Sequence, residues 1–359
     1  MPTVSGMKAG GFYDEHSGGQ RSSIERLMDW IEEAAQDVAI PPADVPLALV
    51  DYGCSEGKNS LAALARGRDA LRKRGATHAI CPMFSDLATN NFNRLFDNLR
   101  EARQLASDLP GSFPLAVGGS FYGPLLPPRS VHLAITFNSV LWLDALPPAP
   151  IPDFLVYPGP QPHRADVHLS AEAIRAFSAQ AQRDLERFLE YRAVELAPGG
   201  RLIVATPARE GQRCTCHGLY DVVHDACLDL VQAGRIDRTA YEAVLMPIYF
   251  RTLEELLAPV QASSGPLAGK FVVEKAVCEE VPVAFVEAYR QTGDLARYAE
   301  QFVGFVQAFT EPILRPALEP TCDAATIAAI YARAQERLRA EPERYEFHYL
   351  QAAVLLARQ

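Results

Sequence analysis

Short apolar segments alternate with amphipathic segments along the first 210 residues of the chain. Four apolar runs have the length and composition of buried strands, at residues 46–52, 78–84, 131–137 and 201–206. Around them, apolar side chains recur every three or four positions, which predicts helices over residues 23–36, 59–74, 90–105 and 170–196. Asn90 stands where the third helix needs an N-cap, and a Pro-Gly-Gly at 198–200 is expected to close the fourth. Because strands that alternate with helices build parallel sheets, we predict a doubly wound sheet over about residues 40–210.

The pattern changes beyond residue 210. Residues 213–262 are mainly helical in pattern, a strand pattern returns at 271–277, and helices are predicted at about 295–315 and 324–340. The last run, 347–358, fits either a strand or a helix, and a proline-rich run at 146–162 is expected to connect across the site. The predicted fold class is α/β, with a Rossmann-like sheet and a helical cap over its open end. The expected division is a first domain at 1–210, a helical cap at 211–265, and returning core strands with further cap helices at 266–359.

The charge balance argues against a nucleic-acid partner. The chain has 359 residues, 48% of them hydrophobic, with a formal net charge of −10 and a pI of about 5.4. Nucleic-acid binders neutralise phosphates with clustered Lys and Arg, which this balance disfavours. No run of about 18 apolar residues is present, and the first twenty residues lack the apolar segment of a secretory signal. We therefore expect a cytoplasmic protein with neither a nucleic-acid nor a membrane partner.

The number and spacing of the cysteines do not indicate a disulfide framework. There are 7, an odd number, scattered along a long chain, which is not typical of disulfide scaffolds. The one local cluster is Cys214, Cys216 and His217. A structural zinc site needs about four ligands, and no second Cys/His pair at suitable spacing accompanies this one. The sequence therefore predicts ordinary thiols and no metal.

The first candidate site is the turn after the first predicted strand. This turn reads DYGCSEG from Asp51 to Gly57. It lacks the G-x-G-x-x-G spacing of a dinucleotide site. The Glu56 carboxylate would repel a pyrophosphate but would not repel a ligand with a cationic sulfonium. Asp86, at the end of the second strand, can accept hydrogen bonds from both hydroxyls of a ribose, or can simply cap a loop. Together, the two features favour an adenosyl cofactor at the carboxyl ends of the strands.

Further motifs stand in a specific order along nearly the whole chain. They are YDEHSGGQ from Tyr13, DYGCSEGKNS from Asp51, SDLATNNFN from Ser85, GSFYG from Gly119, SVLWL from Ser139, FLEYR from Phe188 with PGGR from Pro198, and TEP from Thr310. In this order they resemble the SABATH family, the plant methyltransferases of salicylic acid, benzoic acid and theobromine or caffeine. The resemblance implies a Rossmann-like methyltransferase sheet with a helical cap over the active site, and S-adenosyl-L-methionine as methyl donor. It also implies a homodimer, which these residues do not test.

The resemblance assigns roles to individual positions. With the turn residues, the set expected around the cofactor is Tyr13, Ser17, Asp51, Gly53, Cys54, Asn59, Asp86, Leu87, Ser120 and Phe121. Asp86 would hold the ribose, while Ser120 and Phe121 would border the adenine. Gln20 and Trp142 would hydrogen-bond the acceptor carboxylate through the amide N–H groups and the indole N–H. A carboxylic acid has a pKa of about 4 and is already an anion at neutral pH, so the transfer needs no general base.

The acceptor pocket is where the chain departs from the family. The family's Ser-Tyr-Ser-Leu becomes FNSV at 137–140, and Leu141 replaces the Met of salicylate enzymes and the His of caffeine enzymes. The residues expected to line the acceptor pocket are Asn138, Leu141, Leu219, Tyr220, Val306, Phe309 and Tyr349. Leu245 replaces an Asn near the family's magnesium site, which again predicts no metal.

Four functional hypotheses remain at this point. The leading one is a methyltransferase that forms the methyl ester of a small organic acid. The others are an N-methyltransferase of a heterocycle such as a xanthine, an NAD(P)-dependent oxidoreductase, and a catalytically silent binding protein. The loss of the family's His disfavours a xanthine, the glycine pattern disfavours NAD(P), and the presence of both Gln20 and Trp142 disfavours a silent protein.

Overall fold

A seven-stranded sheet runs through the part of the chain that the structure describes. The computed structural model describes residues 7, 12, 18–105, 111–147 and 170–359. In chain order, the strands of this sheet are β1 (Leu47–Tyr52), β2 (Ile80–Asp86), β3 (Leu115–Gly118), β4 (Val131–Phe137), β5 (Leu196–Pro207), β8 (Phe271–Glu280) and β9 (Leu350–Arg358). The short strands β6 (Arg209–Glu210) and β7 (Arg213–Cys214) form a separate hairpin. Across the sheet the order is β3-β2-β1-β4-β5-β9-β8; the first five strands are parallel, and β9 is antiparallel to both of its neighbours.

The helices follow the strands in the first part of the chain and cluster together in the second. Within the described residues they are α1 (Gly18–Glu25), α2 (Met28–Asp37), α3 (Lys58–Lys73), α4 (Phe92–Leu105), α5 (Ala171–Glu195), α6 (Asp221–Gln232), α7 (Arg238–Glu242), α8 (Leu253–Gln261), α9 (Ala284–Thr292), α10 (Leu295–Leu318) and α11 (Ala324–Ala340). A 3₁₀ turn, Pro342–Tyr345, follows α11. No helix within the described ranges is long and apolar enough to cross a bilayer.

Packed side chains cover both faces of the parallel strands. All residues of β1 and β4 are buried, as expected for strands with helices on each side. Leu49 belongs to an apolar cluster with Ile31 of α2 and Leu64 of α3. Its neighbour Val50 belongs to a second cluster, with Phe188 of α5. The alternation places these clusters on opposite faces of the sheet.

A third apolar cluster lies beyond the carboxyl end of β4. It joins Leu141, which follows β4, to Tyr349, which precedes β9, and to buried side chains of α6, α10 and α11, such as Val223, Phe302 and Ile330. The cluster is rich in aromatic rings that contact one another at edge-to-face and tilted angles. The helices of the second half therefore share a core of their own next to the strand ends.

The α/β fold with a mostly parallel sheet agrees with the sequence prediction, but several element boundaries were wrong. The predicted helix at 23–36 is two helices, because Leu27 leaves helical geometry (φ −107°, ψ 5°) and buries its side chain in the apolar cluster of Leu49. The Pro-Gly-Gly at 198–200 lies inside β5 and does not close a helix, since α5 already ends at Glu195. The last run of the chain, ambiguous in sequence, forms β9.

Three features were absent from the prediction or misplaced in it. The edge strand β3 and the helix α9 were not predicted. The N-cap of α4 is Asn91, whose Oδ1 accepts from the backbone N–H of Arg94 at 3.2 Å, and not Asn90. The domain division at 210 and 265 stays a prediction, and most of the predicted connection at 146–162 lies outside the described residues.

Candidate active site

The turn after β1 is packed tightly against the loop after β4. Gly53 has a φ of 99°, and a Cβ at this position would lie 2.1 Å from Ser139 Oγ. Only glycine satisfies both the backbone angle and the close contact. The Gly53 N–H donates to the carbonyl oxygen of Ser85 at 2.8 Å, which ties the turn to the end of β2. The turn therefore exposes backbone rather than side chains at the strand ends.

Asp86 at the end of β2 is fixed by two backbone hydrogen bonds. Its Oδ2 accepts from the Ser55 N–H at 2.7 Å, and its Oδ1 accepts from the Leu87 N–H at 2.8 Å. Burial raises the pKa of the Asp86 carboxyl, and these two bonds oppose that effect. Each carboxylate oxygen has a second lone pair, so Asp86 can still accept from two hydroxyl groups of a ligand.

A cavity opens above Asp86. It has about 810 Å³ of empty space, open solvent included. Its described lining comprises Met7, Gly53, Ser55, Asp86, Leu87, Asn90, Ser120, Phe121, Tyr122, Phe137, Asn138, Ser139, Trp142, Leu143 and Asp144. The cavity thus combines a carboxylate, hydroxyls and backbone groups with aromatic rings, a set that suits a ribose and a base. This donor and acceptor set fits an adenosyl group.

A buried arginine of α5 holds the loop that carries Ser120 and Phe121 by hydrogen bonds to its backbone. The Arg192 guanidinium donates to the carbonyl oxygens of Phe121 (2.8 Å) and Gly123 (3.1 Å). It also donates to Glu195 Oε1 at 2.9 Å, and both side chains are fully or almost fully buried. The position of this loop therefore depends on two charged residues of α5 that do not line the cavity.

A second, smaller cavity adjoins the first. It encloses about 450 Å³, lined by Met7, Gln20, Asn138, Leu141, Trp142, Pro207, Thr215, Leu219, Tyr220, Phe250, Phe305, Phe309 and Tyr349. Most of these side chains are aromatic or aliphatic, and no described one carries a full charge. Met7, Asn138 and Trp142 line both cavities. The two spaces therefore meet at these side chains.

Gln20 is brought to the second cavity by close packing of α1. A Cβ on its neighbour Gly19 would lie 2.8 Å from the Phe305 ring, so α1 approaches α10 closely at this point. Gln20 is buried, and its Oε1 has no hydrogen-bond partner among the described residues. A buried acceptor without a partner costs about 1–3 kcal/mol, so Oε1 is expected to accept from a donor that the described residues do not supply, which leaves the amide N–H groups as the donors of this side chain.

The backbone N–H and carbonyl groups of Trp142 are both hydrogen-bonded. Its N–H donates to the Ser139 carbonyl oxygen at 3.0 Å, and its own carbonyl oxygen accepts from the Tyr122 hydroxyl at 2.5 Å. Trp142 also forms an isolated β-bridge with Ile248. The ring therefore stands at the boundary of the two cavities on a rigid support.

The sequence of the whole chain identifies the family. A profile described as SAM-dependent carboxyl methyltransferase matches residues 4–359. The chain belongs to this family. S-adenosylmethionine is its methyl donor, and carboxyl methylation is its class of reaction. The resemblance to the SABATH family is thereby confirmed, and the oxidoreductase hypothesis is wrong.

Curated relatives support the same assignment. The methyltransferase is 27% identical over 288 residues to probable jasmonic acid carboxyl methyltransferase 2 of Theobroma cacao, over 73% of each chain. It is 25% identical to gibberellic acid methyltransferase 2 of Arabidopsis thaliana, over 86% of this chain and 82% of that one. It is 29% identical to indole-3-acetate O-methyltransferase 1 of Oryza sativa subsp. japonica, over 77% and 73%.

A solved structure confirms the fold. Loganic acid methyltransferase with SAH (S-adenosylhomocysteine) matches with a TM-score of 0.76 and 21% sequence identity, over 98% of each chain. The α/β methyltransferase sheet predicted from the sequence is therefore the fold of this chain.

Most of the predicted site residues lie at one of the two cavities of the methyltransferase. Gly53, Asp86, Leu87, Ser120 and Phe121 line the first, and a larger predicted set lines the second: Gln20, Asn138, Leu141, Trp142, Leu219, Tyr220, Phe309 and Tyr349. Four predicted residues line neither cavity: Asp51, Cys54, Asn59 and Val306. Tyr13 and Ser17 lie outside the described residues.

Several lining residues were not predicted. Ser55, Asn90 and Ser139 stand within motifs that the sequence already singled out, and Asn90 Nδ2 donates to the Ser55 carbonyl oxygen at 2.7 Å. Phe250 and Phe305 come from segments without any motif. Only the packing of distant elements could reveal the latter pair.

Asp51 is buried behind the turn. Burial raises the pKa of its carboxyl to about 7, the Ser60 hydrogen bond opposes this, and the charge of Asp86 adds to it. Oδ1 of Asp51 has no hydrogen-bond partner among the described residues. The strand ends therefore carry two neighbouring acids, and Asp51 is the one further from the cavity.

The cysteine cluster of the sequence is also close in space. Donor atoms of Cys214, Cys216 and His217 lie within 4.8 Å of one another, and the two Sγ atoms are 2.7 Å apart. Burial raises the pKa of the Cys216 thiol, which disfavours a thiolate there at neutral pH. The absence of a metal requirement stays a prediction.

Proposed function

We propose that the methyltransferase esterifies a small monocarboxylic acid with a largely apolar body, bound in the second cavity. The observation that carries this proposal is the contact between the two cavities at Asn138 and Trp142. A donor bound in one cavity and an acceptor bound in the other would meet there. The wall of the acceptor cavity offers aromatic rings and neutral hydrogen-bonding groups, which suit one carboxylate on an apolar skeleton.

The first cavity supplies the groups that would hold the methyl donor. When bound, S-adenosylmethionine would supply the methyl group, which passes from the cationic sulfonium sulfur to a carboxylate oxygen and leaves neutral S-adenosylhomocysteine. Asp86 would accept from the ribose hydroxyls with the lone pairs that its backbone bonds leave. Ser120 and Phe121 would border the adenine. We propose supporting roles for Asp51, Cys54 and Asn59 behind the turn, and direct roles for Tyr13 and Ser17.

Gln20 and Trp142 would orient the acceptor carboxylate. Both line the second cavity, and the carboxamide and indole N–H groups are neutral donors that do not reduce the nucleophilicity of the anion by forming an ion pair. No proton has to be removed from an acid that is ionised at neutral pH. These residues therefore orient the acceptor and help to exclude water. Orientation can lower the activation free energy by on the order of 7–11 kcal/mol.

The names of the relatives favour a carboxylic acid over a xanthine. The relatives are named for jasmonic, gibberellic and indole-3-acetic acids, each of which carries a carboxyl group. Leu141 supplies no hydrogen bond to a heterocycle, and its side chain lines the acceptor cavity. We extend to this chain only the shared feature, a carboxylate on an apolar skeleton.

Transfer of labelled methyl tests this function. The protein is incubated with labelled S-adenosylmethionine and indole-3-acetate, benzoate, jasmonate, octanoate or theobromine, and the extract is treated with base. Label that is extractable and released by base establishes a methyl ester. Base-stable label from theobromine would overturn the proposal in favour of N-methylation. No transfer to any acid, with SAH still bound, would overturn the proposed acceptor class.

Substitution of the two carboxylate donors gives the first mutational prediction. Gln20→Ala and Trp142→Phe should raise the KM for the acid about tenfold or more, because each removes a hydrogen bond to a charged group. The Kd for SAH should stay unchanged, measured by titration calorimetry. Gln36→Ala, at an exposed helical position, and Trp30→Phe, at the other tryptophan, are matched controls. Loss of SAH binding with a normal KM would contradict the assignment.

The homodimer and the cytoplasmic location rest on the resemblance and on the sequence, and we propose both. Light scattering of the purified chain tests the first, and a fluorescent fusion tests the second.

A further inference from the structure

Asn138 occupies an unusual place between the two cavities. It follows β4 directly, lines both spaces, and has a φ of 59°, in the left-handed region that Asn tolerates better than most residues. Its backbone N–H donates to the Ala205 carbonyl oxygen at 2.9 Å, so the main chain is anchored to β5. The side chain is therefore presented from a fixed backbone at the point where acceptor and cofactor would meet.

The carboxamide of Asn138 is oriented by two hydroxyl groups. Its Oδ1 accepts from the Tyr349 hydroxyl at 3.0 Å and from Ser23 Oγ at 3.3 Å, and Nδ2 lies 3.1 Å from the same Ser23 Oγ. Ser23 and Tyr349 are both buried, and they come from α1 and from the start of β9. Burial raises the pKa of the Tyr349 phenol, which keeps it a hydrogen-bond donor at neutral pH. The carbonyl oxygen of the amide is thereby occupied.

The amide nitrogen retains donor capacity. Nδ2 carries two hydrogens, and Ser23 is the hydrogen-bond partner that it has among the described residues. The second N–H is available to the cavities that Asn138 lines. Gln20 and Trp142 are the other N–H-bearing side chains of the acceptor cavity, and no described residue there carries a positive charge. An anion in this cavity must be stabilised by neutral donors.

We propose that Asn138 Nδ2–H is a third hydrogen-bond donor to the acceptor carboxylate, on the side next to the cofactor, and that it selects anionic acceptors. Tyr349 and Ser23 are positioning residues, since they hold the amide and their hydroxyls occupy its oxygen. An amide oxygen or a carboxylate at the same place would repel the anion. This role rests on the proposed esterification.

Two substitutions at position 138 distinguish a hydrogen-bond donor from a residue that only lines the cavity. Both Gly and Asp tolerate a positive φ at this position. Asn138→Gly removes the amide, and Asn138→Asp replaces the N–H with an anionic oxygen of nearly the same shape. With the acid of highest kcat/KM in the methyl-transfer panel, KM should rise about tenfold in Asn138→Gly and about a hundredfold in Asn138→Asp. The Kd for SAH should stay within about twofold of the wild-type value.

Tyr349→Phe tests the positioning role. It removes one of the two hydroxyls that hold Oδ1 and leaves the Ser23 contact, so the amide is less firmly oriented, and KM for the acid should rise about three- to tenfold at unchanged SAH affinity. Tyr331→Phe is the matched control, because the Tyr331 hydroxyl is also buried and bonded, to Thr310 at 3.0 Å, but lines neither cavity. It should leave KM unchanged. If Asn138→Asp fails to bind SAH, the KM of Tyr349→Phe relative to that of Tyr331→Phe decides whether the Asn138 amide acts as a donor.

The order of the KM values is the decisive result. A wild-type KM in Asn138→Asp, or equal values in Asn138→Asp and Asn138→Gly, would overturn the donor role while the proposed function stands. A wild-type protein that forms no methyl ester from any acid would overturn the proposed function, and the role of Asn138 with it.

Discussion

At the scale of single residues, the site depends on which polar atoms have partners. Asp86 has both oxygens bonded to backbone N–H groups, whereas the buried Oδ1 of Asp51 has no hydrogen-bond partner among the described residues. The sequence predicted both acids at the cofactor site and assigned the ribose to Asp86, but it did not reveal that Asp51 is buried, because burial and bonding are set by tertiary packing. It also misplaced the cap of α4: Asn90 and Asn91 are chemically identical, and only the backbone geometry selects Asn91 for α4 and turns Asn90 towards Ser55.

The raised pKa of Asp51 predicts how stability depends on pH. The folded protein holds a proton on Asp51 up to about pH 7, whereas the unfolded chain releases it near pH 4. The contribution of Asp51 to the free energy of unfolding is therefore complete below about pH 4 and is lost as the pH rises towards about 7. The neutral variant Asp51→Asn avoids this loss. Its free energy of unfolding should exceed that of the wild type by an amount that grows from pH 4 to 7, on the order of 4 kcal/mol at most.

Urea unfolding of the two proteins without ligand, at pH 5 and pH 8, measures this difference. Asp37→Asn, at an exposed helix end, is the control and should show no such trend. A difference between Asp51→Asn and wild type that stays constant over this range would contradict the pKa assignment.

At the scale of elements, α5 positions the loop at 119–126 through its last turn. Glu195 Oε1 accepts from the backbone N–H groups of Leu125 (2.7 Å) and Leu126 (3.1 Å), and Oε2 accepts from the Tyr52 hydroxyl at 2.7 Å. The Arg192 guanidinium lies over the Tyr52 ring at 4.2 Å from its centroid. The end of β1, the end of α5 and the cofactor loop are thus joined by one buried network.

Glu195→Gln should weaken both the fold and the cofactor site. It leaves the buried Arg192 charge uncompensated, which should lower the free energy of unfolding by roughly 3–5 kcal/mol. The loop would lose its fixed position, so the Kd for SAH should rise about tenfold, while KM for the acid at saturating methyl donor stays near the wild-type value. Denaturant unfolding and SAH titration measure the two effects.

An exposed ion pair of the same spacing provides the control. Arg290 and Glu287 are also three residues apart in a helix, but about half of each side chain is exposed to solvent. Glu287→Gln should change the free energy of unfolding by less than about 1 kcal/mol and leave SAH affinity unchanged. Equal effects of the two substitutions would show that the buried network does not position the loop.

The elements that the sequence predicted are those with strong periodicity of their own. β1 and β4 are short apolar runs, and both were found within about one residue of their observed bounds. β3 has four residues, none of them fully buried, and is a strand because β2 pairs with it. The lining of the acceptor cavity is harder to predict from sequence than β3, since Phe250 and Phe305 reach the cavity from segments far apart in the chain. Local patterns carry no information on such contacts.

At the scale of the whole molecule, the two ligand cavities lie where three apolar clusters approach one another. Leu141 and Tyr349 belong to the third apolar cluster, beyond the carboxyl end of β4. Phe137 belongs to the cluster on one face of the sheet and Tyr122 to the cluster on the other, and each of these four residues lines a cavity. A ligand that fills the cofactor cavity therefore contacts parts of the molecule that otherwise pack separately. Binding there should stabilise the chain as a whole.

This arrangement predicts a thermal shift that is specific to the methyl-donor class. SAH at a hundred times its Kd should add about 2.7 kcal/mol to the free energy of unfolding. For a chain of this length, that corresponds to a rise in Tm of about 4 °C. NAD⁺ at the same concentration should give no shift, since the turn lacks the G-x-G-x-x-G spacing that brings a helix N-terminus to a pyrophosphate. Asp86→Ala should abolish the SAH shift, measured against the Tm of the same variant without ligand, because the substitution also removes the hydrogen bonds from the Ser55 and Leu87 N–H groups. A shift with NAD⁺, or an Asp86→Ala protein that still responds to SAH, would show that the adenosyl group is held elsewhere.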